Sequence, residues 1–216
     1  MEFFDSSKSI VENLYLLSGP ILALLATTGV IQLFITKKTL IVNSKRDAAN
    51  LAAQQIKDYS ERLIPKMTKY DLSLIKEKID KTTIDIGDFN VEYLNQMLGK
   101  ETVKKVRNER LKFLVLWLDV LNSMEAFATY FTKGVADEEI AFSSIGRTYC
   151  YSVENYFFEI ANCRKLNDDD SFQNIIDLYN IWKERLKKIQ LTREQEELML
   201  KLLQVNETKI APIGTK

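Results

Sequence analysis

The feature that most constrains this chain is a stretch without a single charged side chain, NLYLLSGPILALLATTGVIQLFIT, running from Asn13 to Thr36. At about 24 residues it is long enough, as a helix, to cross a hydrocarbon core of about 30 Å. A cleaved signal peptide would carry a basic leading region and a shorter apolar core, whereas here the leading residues are Glu2, Asp5, Lys8 and Glu12. A buried helix of a soluble protein is the other reading of such a run, and its length favours a retained span.

Charge on either side of the run sets an orientation. Lys37, Lys38, Lys45 and Arg46 follow it, so the rule that basic flanks stay inside predicts a single-pass inner-membrane protein with its N-terminus outside and its C-terminal body in the cytoplasm. Cysteine usage agrees with a reducing compartment. Cys150 and Cys163 fall on one predicted helix, roughly 20 Å apart, too far for an intrahelical disulfide.

Two patterns lie inside the span. Gly19, Ala23 and Ala26 form a stripe of small residues that lets helix backbones approach, and Thr28, Gln32 and Thr36 form a polar stripe. The polar stripe reads either as interhelical hydrogen bonding or as the lining of a pore, and both need neighbouring helices, which points to a homo-oligomer.

Beyond the span, few residues interrupt a helix. The chain has 7 Gly and 3 Pro, and none of either falls between the span and Pro65. A narrow apolar seam at Ile41, Ala48, Ala52, Ile56, Tyr59 and Leu63 continues a predicted rod of about 75 Å from Leu14 to Ile64. Asp71 is a predicted cap for LSLIKEKI, TTIDIGDF reads as a turn or short extended piece, and Asn90 caps VEYLNQML before Gly99. A long helical stretch from Lys100 ends at Gly134. The next helix opens with Asp137, Glu138 and Glu139 and is predicted to reach Arg164, with Phe142, Tyr149, Tyr156 and Cys163 as a core stripe. Asn167 to Asp170 introduce a helix whose inner face is Phe172, Ile175, Ile176, Tyr179, Trp182, Leu186 and Ile189, and Thr192 with Gln195 has capping-box spacing for a last one. The fold class is therefore all-α, an N-terminal transmembrane helix continuing into a cytoplasmic helical bundle. Its parts are an extracytoplasmic segment 1–12, the span 13–36, a connector 37–65, the bundle 66–205 and a flexible tail 206–216.

Composition narrows the chemistry. There is no histidine, which removes His-based triads and zinc–histidine sites, and 30 Lys+Arg balance 30 Asp+Glu, so no charge excess points to DNA. No Gly-rich phosphate loop, CxxC pair or GxSxG turn is present. Asp168, Asp169 and Asp170 read as helix-start acids rather than a metal site, so no metal, cofactor or catalytic residue is assigned. Glu125 follows Leu114, Leu118 and Leu121 along an inward face, with Asn122 one turn earlier, and would need Arg147 or Arg164 as a buried partner. That polar cluster is either a structural ion pair or a functional one.

The stretch LNSMEAFATYFTKGVADEEIAFSSIGRTYCYSVENYFFEIANCRK, behind a single N-terminal span, resembles two overlapping groups. One is a bacterial family of membrane-anchored helical domains of unknown function, matched here by Asn122, Glu125, Asp137, Glu138 and Arg164. The other is the small membrane accessory proteins encoded beside the RNA-targeting nuclease of type VI-B CRISPR systems. That second resemblance implies an Arg-x4-His motif of the HEPN ribonuclease type, whose nearest match is Arg147 with Ser152 in the histidine position. It also implies oligomeric membrane pores that strengthen antiviral defence, with the bilayer, further copies of the chain, and an RNA-guided nuclease or its RNA products as partners. The expectation is a non-enzymatic pore-forming accessory effector; a membrane-tethered HEPN-like ribonuclease and a passive scaffold for a cytoplasmic partner are the alternatives.

Overall fold

In a computed structural model, residues 2–79, 84–166 and 170–204 are described, and their regular structure is entirely helical, with no strand. Two compact units are distinguished, residues 1–49 and 50–216. The predicted start of the penultimate helix at Asn167–Asp169 and the tail from residue 205 lie outside the described residues.

The first unit is built from α1 (Glu2–Asp58), which carries the one apolar run among the described residues long enough to cross a membrane. None of that run is buried, and Leu22, Leu25, Ile31, Leu33 and Phe34 are all more than half exposed. Pro20 sits inside the helix, where its missing N–H leaves one carbonyl a turn earlier without its backbone donor.

The second unit takes in the last turns of α1, so it begins within the stretch that reads as a connector: Ala52, Tyr59 and Leu63 are buried. A π turn over Tyr59–Leu63 precedes α2 (Ile64–Lys76), whose second residue is Pro65. Proline cannot continue an α-helical hydrogen-bond ladder, and a widened turn just before it lets the chain pass without breaking. Asp71 lies inside α2 and does not cap it, contrary to the sequence expectation.

Local signals place the next elements as read. Asn90 accepts a 2.8 Å hydrogen bond from the Tyr93 N–H to open α3 (Val91–Leu98), and Gly99, at φ 80°, turns the chain into α4 (Lys100–Leu111). Residues 84–88 carry no regular element. The long stretch from Lys100 is not one helix, because a turn at Lys112–Phe113 separates α4 from α5 (Leu114–Thr132). Asp137 accepts from the Ile140 N–H and caps α6 (Glu138–Asn155). A further break at Tyr156 leads into α7 (Phe157–Leu166). The last helix, α8 (Gln173–Gln204), runs on through Thr192, whose hydroxyl donates back to the Lys188 carbonyl at 2.9 Å instead of capping a new start.

In this unit α5 and α6 both pack on α8, and α2 packs on α5. Trp182 of α8 is fully buried at the centre, in ring contact with Phe127, Phe131, Phe142 and Tyr149. Edge-on and tilted contacts of this kind add about 0.5–1.5 kcal/mol each beyond area burial. The predicted core stripe Phe142, Tyr149, Tyr156, Cys163 is buried throughout. On α8 the inner face holds through Trp182, Leu186 is half-buried, and Ile189 is exposed because the body ends there.

Candidate functional site

The most polar part of the interior is a ladder along one face of α6 and α7. Ser152, Tyr156, Glu159 and Asn162 are all buried and recur every three or four residues, the spacing of one helix face. Each meets a polar group from the opposite wall. Tyr59 donates to the Ser152 hydroxyl at 2.8 Å, and Ser152 in turn donates to the Thr148 carbonyl at 2.9 Å. The Tyr156 hydroxyl donates to the Met67 carbonyl at 3.3 Å and to the Asp71 carboxylate at 3.4 Å. The Tyr70 hydroxyl donates to Glu159 Oε1 at 2.6 Å, the same oxygen receives Arg110 Nη1, and Arg107 Nε donates to Asn162 Oδ1 at 2.7 Å.

Arg110 and Glu159 form an ion pair with side chains 5% and 2% exposed, and the Arg110 guanidinium also lies 4.6 Å from the centre of the Phe158 ring. Moving two charges into an interior costs several kcal/mol per ion, which only mutual pairing and further hydrogen bonds offset. Burial and the neighbouring carboxylate push the Tyr70 hydroxyl far above its ordinary value, so it keeps the proton it donates to Glu159. Burial likewise raises the Tyr59 hydroxyl to about 12, the Cys150 thiol to about 12 and the Cys163 thiol to about 11. Both cysteines are free and buried, and thiols held in that state are poor nucleophiles.

The predicted cluster of Asn122, Glu125, Arg147 and Arg164 does not assemble. Asn122 and Arg147 are exposed. The inward face of α5 is set by Trp117, Leu121, Met124 and Ala128, with Leu114 exposed, so Glu125 stands at the edge of that face. There its carboxylate accepts from the Asn174 and Ile175 N–H groups at 3.2 and 2.9 Å and from the Asn174 amide at 2.7 Å. These are the free donors of the first turn of α8, so Glu125 caps a neighbouring helix. Arg164 instead holds the turn into α8, donating to the Ser171 carbonyl and to Gln173.

Arg147 and Ser152 are separated as well. Five residues apart on a helix, they point in different directions, Arg147 outward and Ser152 into the ladder against Tyr59. Arg147 lines an open groove of about 880 Å³ between α6 and α8, with Arg185, Lys188 and Arg193 but also Glu139 and Glu196. Arg185 is already engaged by Glu138 and Glu139 and stacks on Phe142 at 4.0 Å. No group of three acidic or sulfur ligands able to hold a metal occurs among the described residues.

Within the span, Gly19 and the residues of the polar stripe are exposed, as are Ala23 and Ala26. Thr28 is satisfied by its own helix, donating to the Leu25 carbonyl at 2.9 Å. No described residue hydrogen-bonds the Gln32 side-chain amide, so the stripe reduces to Gln32 and Thr36 as groups without an intrahelical bond.

Comparison with protein-family models, curated proteins and solved structures finds no match.

Proposed function

We propose that this chain is a homo-oligomeric, single-span membrane protein of the inner membrane whose helical body brings copies of the span together into a pore or membrane-perturbing effector, acting as an accessory to prokaryotic antiviral defence. The observation that carries the assembly is Gln32. Its amide lies toward the cytoplasmic end of an exposed apolar run with no bond from its own helix, and a polar amide facing hydrocarbon is stabilised by another helix or by water. Exposed Leu198, Met199, Leu200, Leu202 and Leu203 at the end of α8 support self-association of the body as well. The defence role, with an RNA-guided nuclease or its products as partner, rests on the resemblance in layout. Against the ribonuclease alternative stands the geometry of Arg147 and Ser152, which face different surroundings.

The test pairs oligomer size in detergent with ion or dye leakage from cells in which the defence has been triggered. Gln32→Leu keeps the run long and apolar enough to insert. Intact oligomers with leakage lost support a Gln32-lined lumen; unchanged leakage from unchanged oligomers refutes it. A reporter fused after Lys216 is expected to be active in the cytoplasm, since the basic flank follows the span. Periplasmic activity would overturn the orientation.

A further inference from the structure

We propose that one water molecule is a built-in component of the body, bound in a small cavity between α4, α5 and α7 where it links Arg110, Trp117 and Glu159. The cavity measures about 10 Å³, and these three residues and Asn162 are among its lining, with Arg107, Leu111 and Phe158 completing it, a space that takes one water and nothing larger. Three buried side-chain atoms lack a partner among the described residues: Arg110 Nε, Trp117 Nε1 and Glu159 Oε2. All three belong to residues at least nineteen-twentieths buried and all three residues line this one space. Leaving each such group buried and unpaired is costly, most of all for the charged ones.

The chemistry of the orphans selects the ligand. Two are N–H donors and one is a carboxylate oxygen, so the occupant must accept two hydrogen bonds and donate at least one. Water does this with a proton to spare, and Asn162 Oδ1, which accepts one bond from Arg107, has a second lone pair to receive it. A cation would face two N–H groups, and a halide would lie against the Glu159 carboxylate, so neither fits.

Arg110 and Glu159 cannot satisfy the orphans by themselves. Arg110 reaches Glu159 through Nη1, and in a planar guanidinium the Nε–H lies on the edge shared with Nη2, away from Nη1. A bidentate pair through Nε would require the whole fork to turn, and would still leave the Trp117 indole without an acceptor.

The experiment uses the full chain in detergent. Crystallography at a resolution that shows ordered solvent is expected to reveal a density peak within hydrogen-bond reach of Arg110 Nε, Trp117 Nε1 and Glu159 Oε2. Absence of the peak, with the guanidinium turned into a bidentate pair, would overturn the proposal. In solution, water-to-protein cross-relaxation by NMR is expected at the Trp117 indole hydrogen, identified by its loss in Trp117→Phe or, should that variant not fold, by elimination in Trp182→Phe. Trp182 donates to Glu138 and serves as the protein-bonded comparison. A Trp117 indole without a bound-water cross-peak equally refutes the site.

Discussion

The Arg110–Glu159 pair shows what a single buried residue does in this body. Replacing Glu159 with alanine strands the Arg110 guanidinium and leaves the Tyr70 hydroxyl without its acceptor. The expected cost is about 3–5 kcal/mol, read as a fall in the denaturation midpoint. The double variant Arg110→Met, Glu159→Leu removes both charges in similar volume and is expected to recover most of that loss; equal destabilisation by the double and the single variants would refute the account. This pair is invisible to a sequence reading that looks for partners by helix phase, because 49 residues separate its members. The signal that was available is the recurrence of Ser152, Glu159 and Asn162 on the face adjacent to the aromatic stripe. Glu125 was recognisable as a carboxylate close to the core, but its partners are backbone N–H groups, which no charge-pairing argument would select.

At the scale of elements, signals carried by a residue and its next few neighbours were readable, and those decided by packing were not. Asn90, Asp137, Gly99 and Gly134 mark ends because their chemistry is local: a side chain reaching an N–H three residues on, or a backbone at φ 66° to 80° that other residues resist. The breaks at Phe113 and Tyr156 carry no such mark. Thr192 and Gln195 have the right spacing for a capping box, yet a cap needs non-helical backbone, and nothing interrupts α8 at that point. Two substitutions separate a real cap from a false one. Glu125→Ala, which frees the first turn of α8, is expected to cost about 0.5–2 kcal/mol. Thr192→Ala is exposed and in mid-helix, and is expected to stay within about 0.5 kcal/mol. Reversal of that order in thermal unfolding would mean that the helix starts at Thr192.

The whole molecule answers to pH through its buried acids. Cys150 and Cys163 rise from an ordinary 9.0 to about 12 and about 11 through burial, and Tyr149 and Tyr179 are raised for the same first cause. The folded state therefore holds these protons more tightly than the unfolded chain does. Their contribution is intact below the unfolded values and is lost as pH climbs through the folded ones. The unfolding temperature is expected to be flat up to about pH 9 and to decline across the interval to about pH 12, with no matching loss from histidine near neutrality, since the chain contains none. Replacing both cysteines with alanine should shallow the alkaline decline; an unchanged slope would assign it to the tyrosines alone.

The position of Trp182 also has a consequence for how the protein is made. The ring at the centre of the aromatic hub comes from α8, whereas its neighbours Phe127, Phe131, Phe142 and Tyr149 lie on helices synthesised earlier. On the ribosome those four rings emerge with no Trp182 to close on, so α5 and α6 must wait, incompletely packed, for a helix that begins only at Gln173. The N-terminal apolar run has by then long left the ribosome. On the proposed membrane reading, insertion of that run precedes closure of the body, which is among the last events in the making of this chain.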